Sequence, residues 1–279
     1  MDWRDEGLLL SVRRHGENGA VIEALTAEHG RHAGLVRGGG GVKLGAILQP
    51  GSQLALQWHA RLEDQLGTYK VEPIRSRAAP IMADRARLSC LNALAALVLA
   101  SVPEREPDAE LYGATVAMAD KLAGEDPFWP AAYARWELAL LAGLGFGLDL
   151  TRCAASGVRS DLIYVSPRTG RAVSRSSGAA WADRLLPLPG FLVGKGMPTM
   201  GAVREALRLT GHFFETQAMP ALGRDTLPPA RERLIGVLET VTLPKHEEQM
   251  DERRADEAEY HRSMGETKVI ILPGNGSAA

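Results

Sequence analysis

The amino-acid sequence predicts an α+β protein with two domains, a five-stranded β-barrel at the N-terminus and a mainly α-helical domain after it. Apolar residues partly alternate with polar ones in short runs over the first 75 residues, whereas from Ala83 onward they recur every three or four positions. Between residues 148 and 198 neither period holds, which indicates a loop-rich insert in the helical domain. We therefore divide the chain into residues 1–80, residues 81–244 with the insert at 148–198, and a charged tail at 245–279.

The predicted barrel strands are short and separated by turn residues. Gly16, Asn18 and Gly19 supply a turn between the first two strands, and Gly30 precedes the third. Five short strands in about 75 residues are typical of the oligonucleotide-binding (OB) barrel, which presents a sheet face and loops to single strands. A barrel that binds protein has the same strand count, so the pattern leaves that alternative open. The five strands are residues 8–13, 20–25, 32–36, 53–62 and 67–73.

The predicted helices carry start and stop signals. Pro103 ends the first helix, and the acids Asp108 and Asp126 stand at helix N-termini, where negative charge is favoured. Thr199 is a suitable N-cap for a later helix. The predicted helices are approximately residues 84–101, 107–122, 126–144, 199–214 and 228–238.

The overall charge excludes a uniformly basic nucleic-acid coat protein, because the net charge is −2 and the pI is about 6.4. Phosphate binding must therefore be local, although residues 1–80 carry only ten Lys and Arg against nine Asp and Glu. Cys90 and Cys153 form no disulfide framework, and residues 1–7 lack the pattern of a signal peptide. No run approaches the ~18 apolar residues of a membrane span. We expect a cytoplasmic protein without membrane contact.

Seven cations of the predicted barrel are the candidate contacts to a phosphate backbone. They stand at strand ends and turns or in the barrel strands, where side chains reach a bound polymer instead of a core. An ordinary solvated or ion-paired cation is the alternative for each of them. The aromatic residues Trp3, Trp58 and Tyr69 have two interpretations, stacking on bases or filling the core. The seven cations are Arg13, Arg14, Arg31, Arg37, Lys43, Arg61 and Lys70.

Glycine-rich stretches approach nucleotide-binding loops without matching them. Residues 38–45 and 194–199 lack the Walker spacing, and residues 143–149 follow a predicted helix where a dinucleotide loop must follow a strand. Residues 38–45 are then either a mobile loop between strands or a loop that closes over a bound strand. No nucleophile and base in a recognisable motif appear, and His246 lacks the second histidine of a zinc-protease motif. We expect neither enzymatic activity nor a cofactor.

Several stretches resemble the RecO family of bacterial recombination-mediator proteins, and together they cover about residues 1–240. The resemblance implies an OB barrel that binds and anneals single-stranded DNA and helps to place the recombinase RecA on strands coated by single-strand-binding protein. It further implies RecR, RecF and the C-terminal tail of single-strand-binding protein as partners, duplex DNA as a further ligand, and the nucleoid as location. The stretches are residues 14–17 (RHGE), 26–31 (TAEHGR), 48–51 (LQPG), 65–67 (QLG), 136–150 (WELALLAGLGFGLDL), 153–157 (CAASG), 164–174 (YVSPRTGRAVS) and 185–192 (LLPLPGFL).

The chain departs from the RecO-like pattern in two places. Many RecO-like proteins hold zinc in the insert with two Cys-x-x-Cys pairs, whereas here Cys153 remains and Ser156, Ser174 and Ser177 stand near the other positions. A neutral hydroxyl is a poor zinc ligand, so we expect a vestigial site without metal, held by packing and hydrogen bonds. The basic loop after the third strand is reduced to glycines and Lys43.

Two other functions compete with a role as a DNA-repair accessory protein. The chain is a protein-interaction scaffold if its helical domain binds an acidic partner tail in an apolar groove with basic edges and its barrel binds little DNA. A regulator that reads duplex DNA is the third possibility, although no helix-turn-helix pattern is visible. The mixed-charge residues 247–259 are either a solvated or disordered segment or a docking tail, and residues 268–273 can add a strand to a sheet edge.

Overall fold

A computed structural model describes residues 1–62 and 64–244 of the chain. The first five strands are β1 (Asp2–His15), β2 (Gly19–Thr26), β3 (Gly30–Val36), β4 (Gln53–His59) and β5 (Thr68–Arg75). They close into a barrel in the order β1-β2-β3-β5-β4, with β4 returning to β1. All neighbouring pairs are antiparallel except β3 and β5, which are parallel.

The length of β1 allows one strand to pair with two neighbours. Its first half pairs with β4 and its second half with β2, and a register shift between Leu9 and Ser11 marks an irregularity in the second ladder. The strand begins six residues before the predicted start, because the less exposed position between Arg4 and Glu6 is the polar Asp5, so no apolar alternation is visible there. The α+β class with an OB-type barrel is confirmed.

The barrel core contains the aromatic residues whose role the sequence left open. Trp58 and Tyr69 are buried with 1% and 3% exposure, and the Trp58 indole donates to the Leu66 carbonyl at 3.1 Å. Trp3 is half-buried and stacks on Trp58 at 5.7 Å and on His29 at 4.1 Å between ring centroids. The core-filling interpretation is therefore correct for Trp58 and Tyr69, and base stacking by these two residues is wrong.

The helices after the barrel begin where short polar side chains accept hydrogen bonds from free backbone N–H groups. Asp84, Asp108 and Thr199 are N-caps of three helices. Two predicted starts shift, because Asp108 is itself the cap of the helix Ala109–Ala123 and Asp126 accepts from the Phe128 N–H one turn before the helix Trp129–Gly143. The helices are α2 (Ala78–Met82), α3 (Arg85–Ser101), α4 (Ala109–Ala123), α5 (Trp129–Gly143), α7 (Met200–Phe213), α8 (Met219–Ala221) and α9 (Pro229–Leu238), with α1 (Val42–Gly45) inside the barrel and α6 (Arg175–Gly178) in the insert.

The insert folds around a small antiparallel sheet of order β7-β6-β8, formed by β6 (Leu162–Val165), β7 (Ala172–Ser174) and β8 (Leu186–Pro187). A 3-10 helix, Ala179–Arg184, connects α6 to β8. These strands have two to four residues, too short for a periodic pattern to reveal them in the sequence.

A buried ion pair joins three helices of the second half. Arg231 of α9 donates two hydrogen bonds to Glu137 of α5, at 2.7 and 2.9 Å, and another to the Leu207 carbonyl of α7 at 2.6 Å. The Thr210 hydroxyl of α7 donates to the same carboxylate. Glu137 and Arg231 are 0% and 4% exposed, so both charges lie in the core, where each compensates the other.

A second buried arginine fixes the barrel against the helices. Arg77 is 1% exposed and donates to Asp120 of α4 at 2.6 Å, to the Gly51 carbonyl at 3.2 Å and to the Gln53 side chain at 3.0 Å. Gly30 lies at a second contact, between the barrel and the segment before α4. A Cβ added to Gly30 would stand 2.2 Å from the Glu106 carbonyl oxygen. Its φ of +64° also favours glycine. Within residues 1–62 and 64–244, no helix is long and apolar enough to cross a membrane.

Candidate nucleic-acid interface

The parallel pairing of β3 and β5 brings two predicted phosphate contacts together. Val36 pairs with Tyr69, so Arg37 and Lys70 follow at adjacent positions. Both line an open cleft of about 680 Å³ on the barrel, together with Gln57. Asp2 is the one acid among the described lining residues, so the cleft has a positive balance.

Strand register adds one cation that the sequence reasoning missed. Arg4 pairs with Gln57, and Gln57 pairs with Lys70, so Arg4 and Lys70 lie in one row across β1, β4 and β5. Two positions along, on the same face of the sheet, Glu6 and Glu72 lie on either side of Ala55. The positive area therefore ends at this acidic row. Only the pairing of distant strands reveals either row, which is why no local pattern could have indicated Arg4.

The ends of β1 and β3 form a rim beside the cleft. Arg14 pairs with Ala20, which pairs with Val36 immediately before Arg37. The Gly40 N–H donates to the Asn18 carbonyl at 3.2 Å, which ties the glycine-rich loop to the β1–β2 turn. We define the rim cluster as the exposed residues Arg13, Arg14, Arg37, Lys43 and Lys70.

Lys43 reaches the rim on a short helix that the sequence reasoning did not predict. Residues 42–45 form α1, and Leu44 of this helix lines the cleft, whereas a loop was expected over residues 38–45. The glycines before it still form turns, with Gly38 at a φ of +75°.

The rim cluster carries positive charge that other side chains leave uncompensated. In the part of the chain that the structure describes, no carboxylate lies within ion-pair distance of any of its five members, and none of the five side chains donates a hydrogen bond. Exposed, unpaired cations on adjacent strand ends are suited to a polyanion.

The remaining two predicted contacts lie elsewhere. The Arg31 guanidinium donates to Glu23 at 2.5 Å, to Glu104 at 3.3 Å and to the Val102 carbonyl at 2.9 Å, and its side chain is 13% exposed. This arginine joins β3 to the segment before α4. Because its charge is compensated by these carboxylates, it is not part of the rim cluster. Arg61 is exposed in the loop after β4 and does not line the cleft.

The four positions of the vestigial zinc site converge in the insert. The Ser174 N–H donates to the Cys153 sulfur at 3.3 Å, and the Ser174 and Ser177 hydroxyls lie 3.1 Å apart. Burial raises the pKa of the Cys153 thiol, but hydrogen bonds from Ser156 and Ser174 outweigh it and lower that pKa to about 5. One thiol with three neutral hydroxyls does not fit a zinc ion. No group of three or more His, Cys, Asp or Glu able to hold a metal occurs among residues 1–62 and 64–244.

Comparison with known proteins agrees with this architecture. The family model described as recombination protein O N terminal matches residues 1–77, and the one described as recombination protein O C terminal matches residues 82–224. The chain belongs to the RecO family. The DNA repair protein RecO of Ruegeria sp. (strain TM1040) is 55% identical, and that of Cereibacter sphaeroides (strain ATCC 17029 / ATH 2.4.9) is 54% identical. Each alignment spans 238 residues, 85% of this chain and 98% of the relative.

RecO membership gives the chain a role in DNA repair and recombination. It also confirms the resemblance seen in the sequence. The RecO match over residues 1–77 contains the whole rim cluster, whereas the match over residues 82–224 contains the insert and its vestigial zinc site.

Proposed function

We propose that this chain is a non-enzymatic recombination mediator whose barrel binds single-stranded DNA on the rim cluster and anneals it to a complementary strand. The observation that carries the proposal is the set of five exposed cations without partners among the described residues, on a barrel of OB type. Membership in the RecO family supports DNA and the recombination machinery as its partners.

The proposed mechanism is electrostatic. Lys and Arg side chains of the rim cluster neutralise phosphates of one strand and release condensed counterions, which favours binding most strongly at low salt. A strand with part of its charge neutralised repels an incoming complementary strand less, so pairing becomes faster. Each of these steps uses binding alone, and no bond of the DNA is made or broken.

The finer partner assignments belong to the same proposal. We expect RecR, RecF, RecA and the C-terminal tail of single-strand-binding protein to contact the chain, so that RecA is placed on coated strands. Duplex DNA is expected to compete for the same cations, because it carries the same phosphates at higher density. The nucleoid is the expected location.

One cleft favours a second function, the binding of an acidic peptide by the helices. A cleft of about 700 Å³ lies between α3 and α9, with Arg85 and Arg233 among its lining and Ala230 and Val237 as apolar members. A carboxylate-rich tail with an apolar residue suits such a groove with basic edges. This function agrees with a mediator that also recognises a partner protein.

Charge reversal separates the two functions. We expect Arg37→Glu with Lys70→Glu to weaken binding of a labelled single strand and to lower its log–log salt slope by about 1.4, because two phosphate contacts are lost. Arg85→Glu with Arg233→Glu is the matched control, and it should abolish binding of a labelled acidic peptide while DNA affinity changes less than about twofold. An unchanged salt slope in the barrel variant would contradict the proposed interface.

A further inference from the structure

One tryptophan of the insert is exposed on a short helix that has no buried residue. All six residues of the 3-10 helix Ala179–Arg184 are exposed, and Trp181 itself is 55% exposed. The Arg184 guanidinium lies 5.5 Å from the centroid of the Trp181 ring. This distance is typical of a cation–π contact, which orients the ring and leaves its other face for a ligand.

The other four tryptophans of the chain are placed differently. Trp58, Trp129 and Trp136 are 1–4% exposed, and Trp3 is stacked against two rings. Trp181 therefore contributes little to a core. Its amphipathic ring is accessible to a ligand, and exposed tryptophans of this kind are enriched at binding interfaces.

The insert has a positive balance of charge within this acidic chain. Residues 148–198 carry seven Lys and Arg against three Asp, a balance of +4, whereas the whole chain has a net charge of −2. Each of the three acids has an arginine within 4.0 Å, namely Asp149 with Arg171, Asp161 with Arg175, and Asp183 with Arg184. The four remaining cations are exposed and form no ion pair with any described residue. They are Arg152, Arg159, Arg168 and Lys195.

We propose that the insert is a second binding site for single-stranded nucleic acid, in which Trp181 stacks on a base and the four unpaired cations contact phosphates. This inference rests on the proposed function and adds to it a place for the complementary strand, because the rim cluster by itself holds one strand. Base stacking on tryptophan is tolerant of sequence, as an annealing protein requires. Four exposed cations without ion pairs among the described residues give the insert the positive charge that binding to a polyanion requires.

The exposed position of Trp181 makes a direct test possible, since replacing it should leave the fold intact. The experiment uses the full chain with Trp181→Ala, the matched control Trp181→Phe, which keeps a stacking ring, and the charge variant Arg152→Glu with Arg168→Glu. Stopped-flow mixing of two complementary labelled oligonucleotides measures the annealing rate. Quenching of tryptophan emission by an oligothymidine measures contact at Trp181.

We expect Trp181→Ala to slow annealing about tenfold and to remove most of the quenching, because stacking of one base is lost. Trp181→Phe should retain at least about half of the annealing rate, and the charge variant should slow annealing in a salt-dependent way. Affinity for a single first strand should change less than about twofold in Trp181→Ala, because the rim cluster is intact. Normal annealing and quenching in Trp181→Ala would overturn the inference, even if the variant lost a protein partner.

The barrel variant Arg37→Glu with Lys70→Glu makes the two proposals distinguishable. If the barrel variant loses first-strand binding and Trp181→Ala anneals normally, the rim cluster is supported as the DNA interface and the second site is overturned. If the barrel variant binds the first strand normally and Trp181→Ala anneals slowly, the rim cluster is overturned as the DNA interface and the insert is supported as a binding site.

Discussion

The arginines of the barrel rim and those of the junction between barrel and helices share one chemistry and have opposite surroundings. Arg37 is exposed on the rim cluster without a partner among the described residues, whereas Arg77 is 1% exposed and holds Asp120, Gly51 and Gln53. Arg31 belongs with Arg77, since it binds two carboxylates and a carbonyl. The packing around a cation, and not its residue type, therefore decides whether it stabilises the fold or is free for a ligand.

The largest effect should come from the junction, by comparing Arg77→Ala with Arg75→Ala. Both arginines pair with the Asp120 carboxylate, at 2.6 and 2.7 Å, but the Arg75 side chain is 57% exposed. We expect Arg77→Ala to lower the free energy of unfolding by about 3 kcal/mol, because it removes the hydrogen bonds of a buried guanidinium to the Asp120 carboxylate, the Gly51 carbonyl and the Gln53 side chain. Arg75→Ala should cost less than about 1 kcal/mol, as for exposed pairs. Urea unfolding followed by circular dichroism measures both, and equal losses would show that burial does not separate them.

A smaller and more specific contrast lies within the barrel, between Arg31→Ala and Arg37→Ala. Removing Arg31 should lower the free energy of unfolding by about 2 kcal/mol, because hydrogen bonds to charged groups are lost, and should leave the affinity for single-stranded DNA unchanged. Removing Arg37 should do the reverse, with a several-fold loss of affinity and a stability change within about 0.5 kcal/mol. Fluorescence anisotropy and urea unfolding on the same preparations check the pair. An Arg31→Ala variant that folds normally and binds DNA weakly would return this residue to the interface.

The sequence could predict the fold, but it could not predict which cations stabilise the fold and which are exposed to a ligand. Helix starts at Asp84 and Thr199 and the turn at Gly16 are local features, and they lie where the sequence placed them. The partners of Arg31 and Arg77 are up to 73 and 43 residues away along the chain, so no local pattern indicates them. The same reason hides the row of Arg4 and Lys70, which exists only once β1, β4 and β5 are paired.

The vestigial zinc site shows the opposite case, in which the resemblance to RecO-like sequences indicated a real cluster. Ser174 lies within hydrogen-bond distance of both Cys153 and Ser177 in the insert. What the resemblance could not give is the ionisation of the remaining thiol. That property depends on which hydroxyl and N–H groups point at the sulfur.

The smallest predicted effect is on the pH dependence of stability, and it compares two cysteines whose surroundings differ as those of the arginines do. Burial raises the pKa of the Cys90 thiol well above its ordinary value of 9.0, whereas hydrogen bonds from Ser156 and Ser174 overcome burial and lower the pKa of Cys153 to about 5. Because the folded pKa of Cys153 is below the unfolded one, its thiolate stabilises the fold in full above about pH 9. That stabilisation is lost as the pH falls toward about 5.

We therefore expect the stability difference between the unmodified chain and Cys153→Ser to grow as the pH rises from 5 to 9, measured by urea unfolding at each pH. The difference for Cys90→Ala should stay constant from pH 5 to about 8, because the Cys90 thiol is protonated there in both the folded and the unfolded chain. Absorbance at 240 nm should locate the Cys153 thiolate directly, as a step near pH 5 that Cys153→Ser removes. A step near pH 9 would mean that the serine cluster does not hold a thiolate, and the insert would then be stabilised by packing alone.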